Sequence, residues 1–233
     1  MKVIRKSLIQ GAKEAVGLVV VIDVFRAFSC EPLFFHYGSK RVILEADPEK
    51  ALLLKRKNPG AILVGEIDEV PIEGAELGNS PSHIILKGES YFKGKTVIHR
   101  TTAGVVGVEC AFQSADEVIL GSFTMASAIC RYIRKKGPAV VTLVAMGERG
   151  ERPGPEDESC ADYIEHLISG GGFDPIESFK KVVFQPTAQK FIKGEREYLP
   201  REDPIFCLQR NLFDFALTVR KVGGQLEVFK AMI

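Results

Sequence analysis

Five short strings in this sequence combine acidic, hydroxyl, amide and glycine residues at spacings that could do chemistry. In the first, Asp23 lies within the apolar run Leu18–Val24, with Arg26 three residues on. A carboxylate starting from a partly buried position is costly unless it is paired, so Asp23 needs either an ion pair with Arg26 or a metal ion. In the second, Glu66 follows the apolar run Ala61–Gly65. The third is Gly78-Asn79-Ser80-Pro81, where Ser80 suits a helix N-cap and Pro81 the first helical position. Backbone N–H groups left free at such an end attract phosphate, sulfonate or carboxylate, although the same string also reads as an ordinary helix start.

Arg100-Thr101-Thr102-Ala103-Gly104 is the fourth, a set of hydroxyls and amides suited to cradling phosphate. It lacks the lysine and spacing of a nucleotide-triphosphate loop, and no GxGxxG string occurs. Glu156-Asp157 is the fifth, at the start of a helical stretch. There an acidic residue either complements the positive helix end or holds Mg²⁺, which prefers one or two carboxylates plus water and substrate oxygens. A phosphatase nucleophile of the haloacid-dehalogenase type needs a second Asp two residues after Asp23, and Phe25 stands there instead. His36, His83, His99 and His166 show no metal-ligand spacing and read as structural residues.

The elements that must position these strings alternate. Leu18–Val24, Arg41–Ala46, Ala61–Gly65, Thr96–His99, Glu117–Leu120 and Ala139–Ala145 read as strands. Pro48–Lys57, Ser80–Lys87, Phe123–Lys136 and Asp157–Ile168 read as helices between them. This pattern predicts an α/β fold with a mostly parallel or mixed sheet and helices on both faces. Ligands of such sheets bind at the carboxyl ends of strands, where the five strings fall. Beyond Gly172, Pro186–Lys193 and Asp203–Leu217 look helical, and Thr218–Val222 with Gln225–Phe229 could close as a terminal hairpin. Residues 1–233 read as one domain with this region as its extension.

Thirty-one Lys and Arg balance 30 Asp and Glu for a net charge of +1, too little for long-range attraction to nucleic acid. No run of 18 apolar residues exists, so no spanning helix and no membrane association are expected. Met1–Gln10 has no secretory pattern, and the five cysteines form no CxxC pair. A cytoplasmic protein with reduced thiols is the expectation.

In order and spacing, five segments resemble the magnesium-dependent 2-phosphosulfolactate phosphatase (ComB) family. They are VVVIDVFRAFS, VGEIDEVPIEGAELGNSP, HRTTAGVVGV, ILGSFTMASAI and MGERGERPGPEDESCADYI. The resemblance implies a three-layer α/β/α sandwich and hydrolysis of (2R)-2-phospho-3-sulfolactate to 3-sulfolactate and phosphate, a step of coenzyme M biosynthesis. The matching positions are Asp23, Arg26, Glu66, Asn79, Ser80, Thr101, Thr102, Gly104, Glu156 and Asp157. On this reading Asp23, Arg26, Glu66 and Asp157 are catalytic, and Asp23, Glu66 and Asp157 hold Mg²⁺. Arg26, Asn79, Ser80, Arg100, Thr101, Thr102 and Gly104 bind a small anionic phosphorylated substrate. Attack would come from a metal-activated water or from Asp23 itself.

Ile67, Ala103 and Val105 depart from the family pattern, which leaves another small phosphorylated acid as an alternative substrate. A non-catalytic anion-binding protein on the same scaffold is the other alternative. A homo-oligomer is compatible with all of these readings.

Overall fold

A computed structural model describes residues 1–231 and 233. Its centre is a ten-stranded sheet in the order β1-β8-β2-β7-β9-β10-β3-β6-β4-β5. The strands are β1 (Lys2–Ser7), β2 (Gly17–Ile22), β3 (Arg41–Leu44), β4 (Ile62–Ile67), β5 (Val70–Pro71), β6 (Thr96–Arg100), β7 (Ala115–Gly121), β8 (Val140–Ala145), β9 (Ala216–Val222) and β10 (Gln225–Ala231). The helices are α1 (Leu8–Lys13), α2 (Ala27–His36), α3 (Pro48–Lys57), α4 (Pro81–Phe92), α5 (Gly104–Ala111), α6 (Ala126–Lys136), α7 (Pro155–Ser169), α8 (Pro175–Val183), α9 (Pro186–Ile192) and α10 (Glu202–Cys207).

Two parallel half-sheets carry the fold. β1, β8, β2 and β7 form one, and β3, β6 and β4 form the other. The β2 run LVVVI is buried throughout, as a strand flanked by parallel neighbours and covered on both faces should be. On this half α1 packs with α5 and α6 packs with α7, giving the outer layers of an α/β/α sandwich. In the second half the period of two is visible in the burial. Val42, Leu44, Ile62, Val64 and Val97 join the main core, whereas Ile43, Leu63 and Ile98 face a smaller cluster closed by Ala51 of α3.

The C-terminal hairpin folds as the sequence suggests but lies elsewhere than expected. β9 pairs antiparallel with β7, and β10 pairs antiparallel with β3, so the hairpin is the seam between the half-sheets. Three antiparallel steps make the halves run in opposite senses. That both still deliver carboxyl-end residues to one cleft requires the twist and curl that sheets accumulate strand by strand.

Other expectations need correction. Of the stretch Asp203–Leu217 only residues 203–207, within α10 (Glu202–Cys207), are helical. Asn211 takes a left-handed φ of 58° while its side chain accepts from the Ser127 amide, and Ala216 already enters β9. α2 was missed because eight of its ten residues are buried, leaving no polar stripe to mark a helical period. The helix expected over Pro48–Lys57 is present as α3, and the structure adds its cap: Asp47 accepts from the Glu49 and Lys50 amides. No helix among the described residues is long and apolar enough to cross a membrane.

The seam position makes the hairpin central to stability. Leu217, fully buried in β9, should cost about 2–5 kcal/mol when changed to Ala, measured by urea unfolding. Leu86→Ala on exposed α4 surface should stay within about 0.5 kcal/mol.

Candidate active site

One cleft gathers residues from both halves. The β2–α2 turn gives Asp23, Phe25 and Arg26, β4 and its turn give Glu66 and Glu69, and the loop before α4 gives Asn79. Thr102 and Ala103 follow β6, and Gly147, Glu148 and Arg149 follow β8. Glu156 projects from the first turn of α7, and Thr187 and Lys190 come from α9.

Asp23 lies between two helix starts. Its Oδ1 accepts from the Ala27 amide at 3.1 Å, and the Gly104 amide at the start of α5 also faces it. Gly104 has a steric reason to lack a side chain, because a Cβ there would stand 2.7 Å from Asp23 Oδ2. Burial pushes the Asp23 carboxyl up to about 6, against the stabilising pull of these amides. Glu66 adds to the rise and His99 opposes it.

Arg26 is not the partner of Asp23. Its Nη1 donates to Asp203 Oδ2 at 3.0 Å and to the Tyr198 carbonyl at 2.9 Å, and its guanidinium lies 5.2 Å from the Phe191 ring centre. Asp203, wholly buried, also accepts from Ser80 Oγ at 2.9 Å, from the Ser82 amide at 3.0 Å and from Ser82 Oγ. From 123 residues beyond Ser80 and 177 beyond Arg26, it ties the start of α4 to the β2–α2 turn. Sequence reasoning missed Asp203, since only the fold brings α10 to that point.

Several expected ligands turn out to be scaffolding. Both Asp157 oxygens accept backbone amides, from Val24 and Gly147, each at 2.7 Å, and its side chain does not line the cleft. Burial, then the Glu156 and Asp23 charges, raise its carboxyl well above the usual range. Glu66 lines the cleft, yet its oxygens hold the Thr102 amide at 2.6 Å, Thr102 Oγ1 at 2.9 Å and the Glu69 amide at 2.6 Å. Arg100 turns from the cleft to bond the Ala46 carbonyl at 3.0 Å, the Glu66 carbonyl and Thr102 Oγ1. Thr101 Oγ1 accepts from the Val105 amide inside α5, and Ser80 caps α4. Of the expected anion binders, Arg26, Asn79 and Thr102 reach the cleft wall.

The acidic residue that does reach the cleft from the fifth string is Glu156. Its Oε2 is buried without a hydrogen-bond partner, and burial, with the Asp23 charge adding to it, raises its carboxyl to about 7. The cleft wall carries five carboxylates against three cations. All three cations already face carboxylates: Arg26 meets Asp203, Arg149 lies 3.6 Å from Asp68, and Lys190 bonds Glu69 and lies 3.3 Å from Glu148. No salt bridge among the described residues reaches Asp23 or Glu156.

Among the described residues no three His, Cys, Asp or Glu side chains form a ready cage for a metal, so the trio Asp23, Glu66 and Asp157 is not assembled. A hard cation that keeps water and substrate oxygens needs only one or two carboxylates. Asp23 and Glu156, the latter with its orphaned oxygen, fit that demand.

Comparison with known proteins finds similarity over nearly the whole chain. The family described as 2-phosphosulpholactate phosphatase matches residues 3–221. A probable 2-phosphosulfolactate phosphatase of Caldanaerobacter subterraneus subsp. tengcongensis is 37% identical over 209 residues, covering 84% of this chain and 85% of that protein. One from Clostridium perfringens strain SM101 is 31% identical over 231 residues, 93% of this chain and 90% of that protein. One from Bacillus subtilis strain 168 is 28% identical over 207 residues, 88% and 87%.

The raised carboxyls set a pH signature. Asp23 and Glu156 hold protons in the folded chain up to about 6 and about 7, above their ordinary 3.8 and 4.5. The folded state thus binds more protons than the unfolded one across that window, and the stability this gives is complete below the window and lost as pH rises through it. In the presence of a chelator, the urea midpoint of Glu156→Gln should fall less than wild type between about pH 5 and pH 8. Equal slopes would show that Glu156 is not held protonated.

Proposed function

The chain belongs to the 2-phosphosulfolactate phosphatase family, and on that premise we propose that it is a Mg²⁺-dependent phosphoric monoester hydrolase converting (2R)-2-phospho-3-sulfolactate and water to 3-sulfolactate and phosphate. The observation that carries the metal dependence is the excess of carboxylates in a cleft whose cations are already paired. A substrate with phosphate, sulfonate and carboxylate brings about four further negative charges near neutral pH. Without an added cation the two would repel.

Asp23 and Glu156 would hold the Mg²⁺, which supplies charge neutralisation at the phosphoryl group and a more acidic water. The chain's own groups do the positioning that phosphoryl transfer chiefly needs. The Ala27 and Gly104 amides fix the Asp23 carboxylate, so that it keeps one orientation throughout turnover. Asp203 occupies one edge of the Arg26 guanidinium and leaves the rest of the fork to bond phosphoryl oxygens. Asn79 meets a second anionic arm. Lys190 and Arg149 can exchange their surface carboxylates for a substrate anion at the cleft mouth.

A related phosphorylated acid is favoured as a second substrate by one feature: Ala103, one of the departures from the family pattern, lines the cleft, whereas Ile67 is exposed and Val105 faces the core. We also infer a cytoplasmic setting and a coenzyme M-type pathway step.

The test is phosphate release from 2-phospho-3-sulfolactate with Mg²⁺ or with chelator. Asp23→Asn should lower kcat roughly 100-fold or more, the scale of a lost preorganised electrostatic group. Full activity in chelator, or in Asp23→Asn, would overturn the proposal, and preference for another phosphorylated hydroxy acid would move the assignment to that substrate. Asp157→Asn should instead cost roughly 1–3 kcal/mol of stability by stranding a backbone amide, read as a lower urea midpoint.

A further inference from the structure

Behind the cleft wall runs a buried line of three polar side chains from three parts of the chain. Glu31 on α2 and His99 on β6 are both fully buried, and Asn79, in the loop before α4, is the member that reaches the cleft. His99 Nδ1 lies 2.6 Å from Glu31 Oε1, and His99 Nε2 lies 3.1 Å from Asn79 Oδ1. Both ring nitrogens therefore face oxygen acceptors. The contact at Asn79 is a hydrogen bond only if Nε2 carries the hydrogen, since a carboxamide oxygen cannot donate. That holds wherever the second proton sits on the short Glu31–His99 contact.

The amide of Asn79 has two ends, and the ring chooses between them. With its oxygen held by Nε2–H, its Nδ2 makes no hydrogen bond to another described residue and is not sealed from solvent. It is a free donor at a cleft that must bind anions. If Nε2 were bare, the carboxamide would have to turn over to donate to it, and an oxygen would face the substrate. An acceptor facing phosphate or sulfonate is repulsive.

We propose that His99, braced by Glu31 at Nδ1 and carrying a hydrogen on Nε2, is a positioning residue that locks the Asn79 carboxamide with its N–H₂ toward the substrate anion. The proposal rests on reading the cleft as an anion site, and it deepens that reading. Glu31 Oε2 has no hydrogen-bond partner although it is buried, so the His99 contact at Oε1 is what compensates this carboxyl for its burial. The Phe34 ring meets His99 edge-on at 5.4 Å between centres and keeps water from the pair. The charged groups acting on His99 are thus Glu31 from α2 and, more remotely, Asp23 from the β2–α2 turn.

Proton–nitrogen correlation NMR of nitrogen-15-labelled, chelator-treated protein tests the lock without turnover. The His99 resonance, identified by its loss in His99→Gln, should show a hydrogen on Nε2. A bare Nε2 would overturn the proposal. Glu31→Gln removes the carboxylate that braces the ring at Nδ1 while keeping the shape, so it should raise KM about 10- to 100-fold with kcat little changed, and weaken inorganic phosphate binding likewise.

Asn79→Ala should show the same KM increase, and Glu31→Gln combined with Asn79→Ala should match Asn79→Ala alone within about twofold, because both act through one contact. Additive losses would show that Glu31 is merely structural. If wild type binds phosphate yet turns over no phosphorylated acid, the assay fails the phosphatase reading while the NMR still decides the lock.

Discussion

The structure depends on how a buried carboxylate, Asp23, is kept charged enough to be useful and fixed enough to be accurate. Its supports come from the two half-sheets separately: Ala27 follows β2 and Gly104 follows β6. Each helix start offers unsatisfied amides and a partial positive charge, which is the environment a buried anion needs. The arrangement works only if the halves meet at a fixed angle. The β9–β10 seam, hydrogen-bonded to β7 on one side and β3 on the other, provides that fixity.

The same logic governs the second layer of charge. Asp203, Arg26, Ser80 and Ser82 form a buried polar knot in which the acceptor oxygens have several donors and the guanidinium has both a carboxylate and an aromatic face. A buried ion pair adds little net stability over apolar packing, but losing either member leaves a stranded charge. Its service here is geometric: it fixes the Arg26 fork and the α4 start relative to each other. The C-terminal segment is therefore part of the site and not an appendage, since α9 and α10 supply Thr187, Lys190 and Asp203.

Electrostatically the cleft is built to be completed. Phosphate monoesters are among the slowest substrates to hydrolyse unaided, and most of the required acceleration comes from positioning and charge neutralisation. This chain places two protonatable carboxyls where charge is unbalanced and commits its cations to neighbouring acids. On the proposed reading, a divalent cation would relieve the carboxylates and an anionic substrate would relieve the metal. Specificity then falls to neutral donors with a fixed direction, of which Asn79 is the example argued from its hydrogen-bond partners.

By itself the sequence determined the layered α/β architecture, through buried β-branched runs and cap signals such as Ser80-Pro81, because hydrophobic period and capping chemistry are local properties. It also determined the strings from which the site is drawn, and Asp23, Arg26, Glu66, Asn79 and Thr102 do share one cleft. Only the tertiary structure decided which of the adjacent acids Glu156 and Asp157 faces that cleft. Neighbours on a helix point about 100° apart, and nothing in two consecutive letters says which direction meets backbone amides. It alone decided that Arg26 pairs with Asp203 and not Asp23, and that His99 joins Glu31 to Asn79. It alone placed the last hairpin at the middle of the sheet. Those outcomes hang on contacts between distant segments, and a burial cost or a hydrogen bond has no value until the fold says what lies opposite.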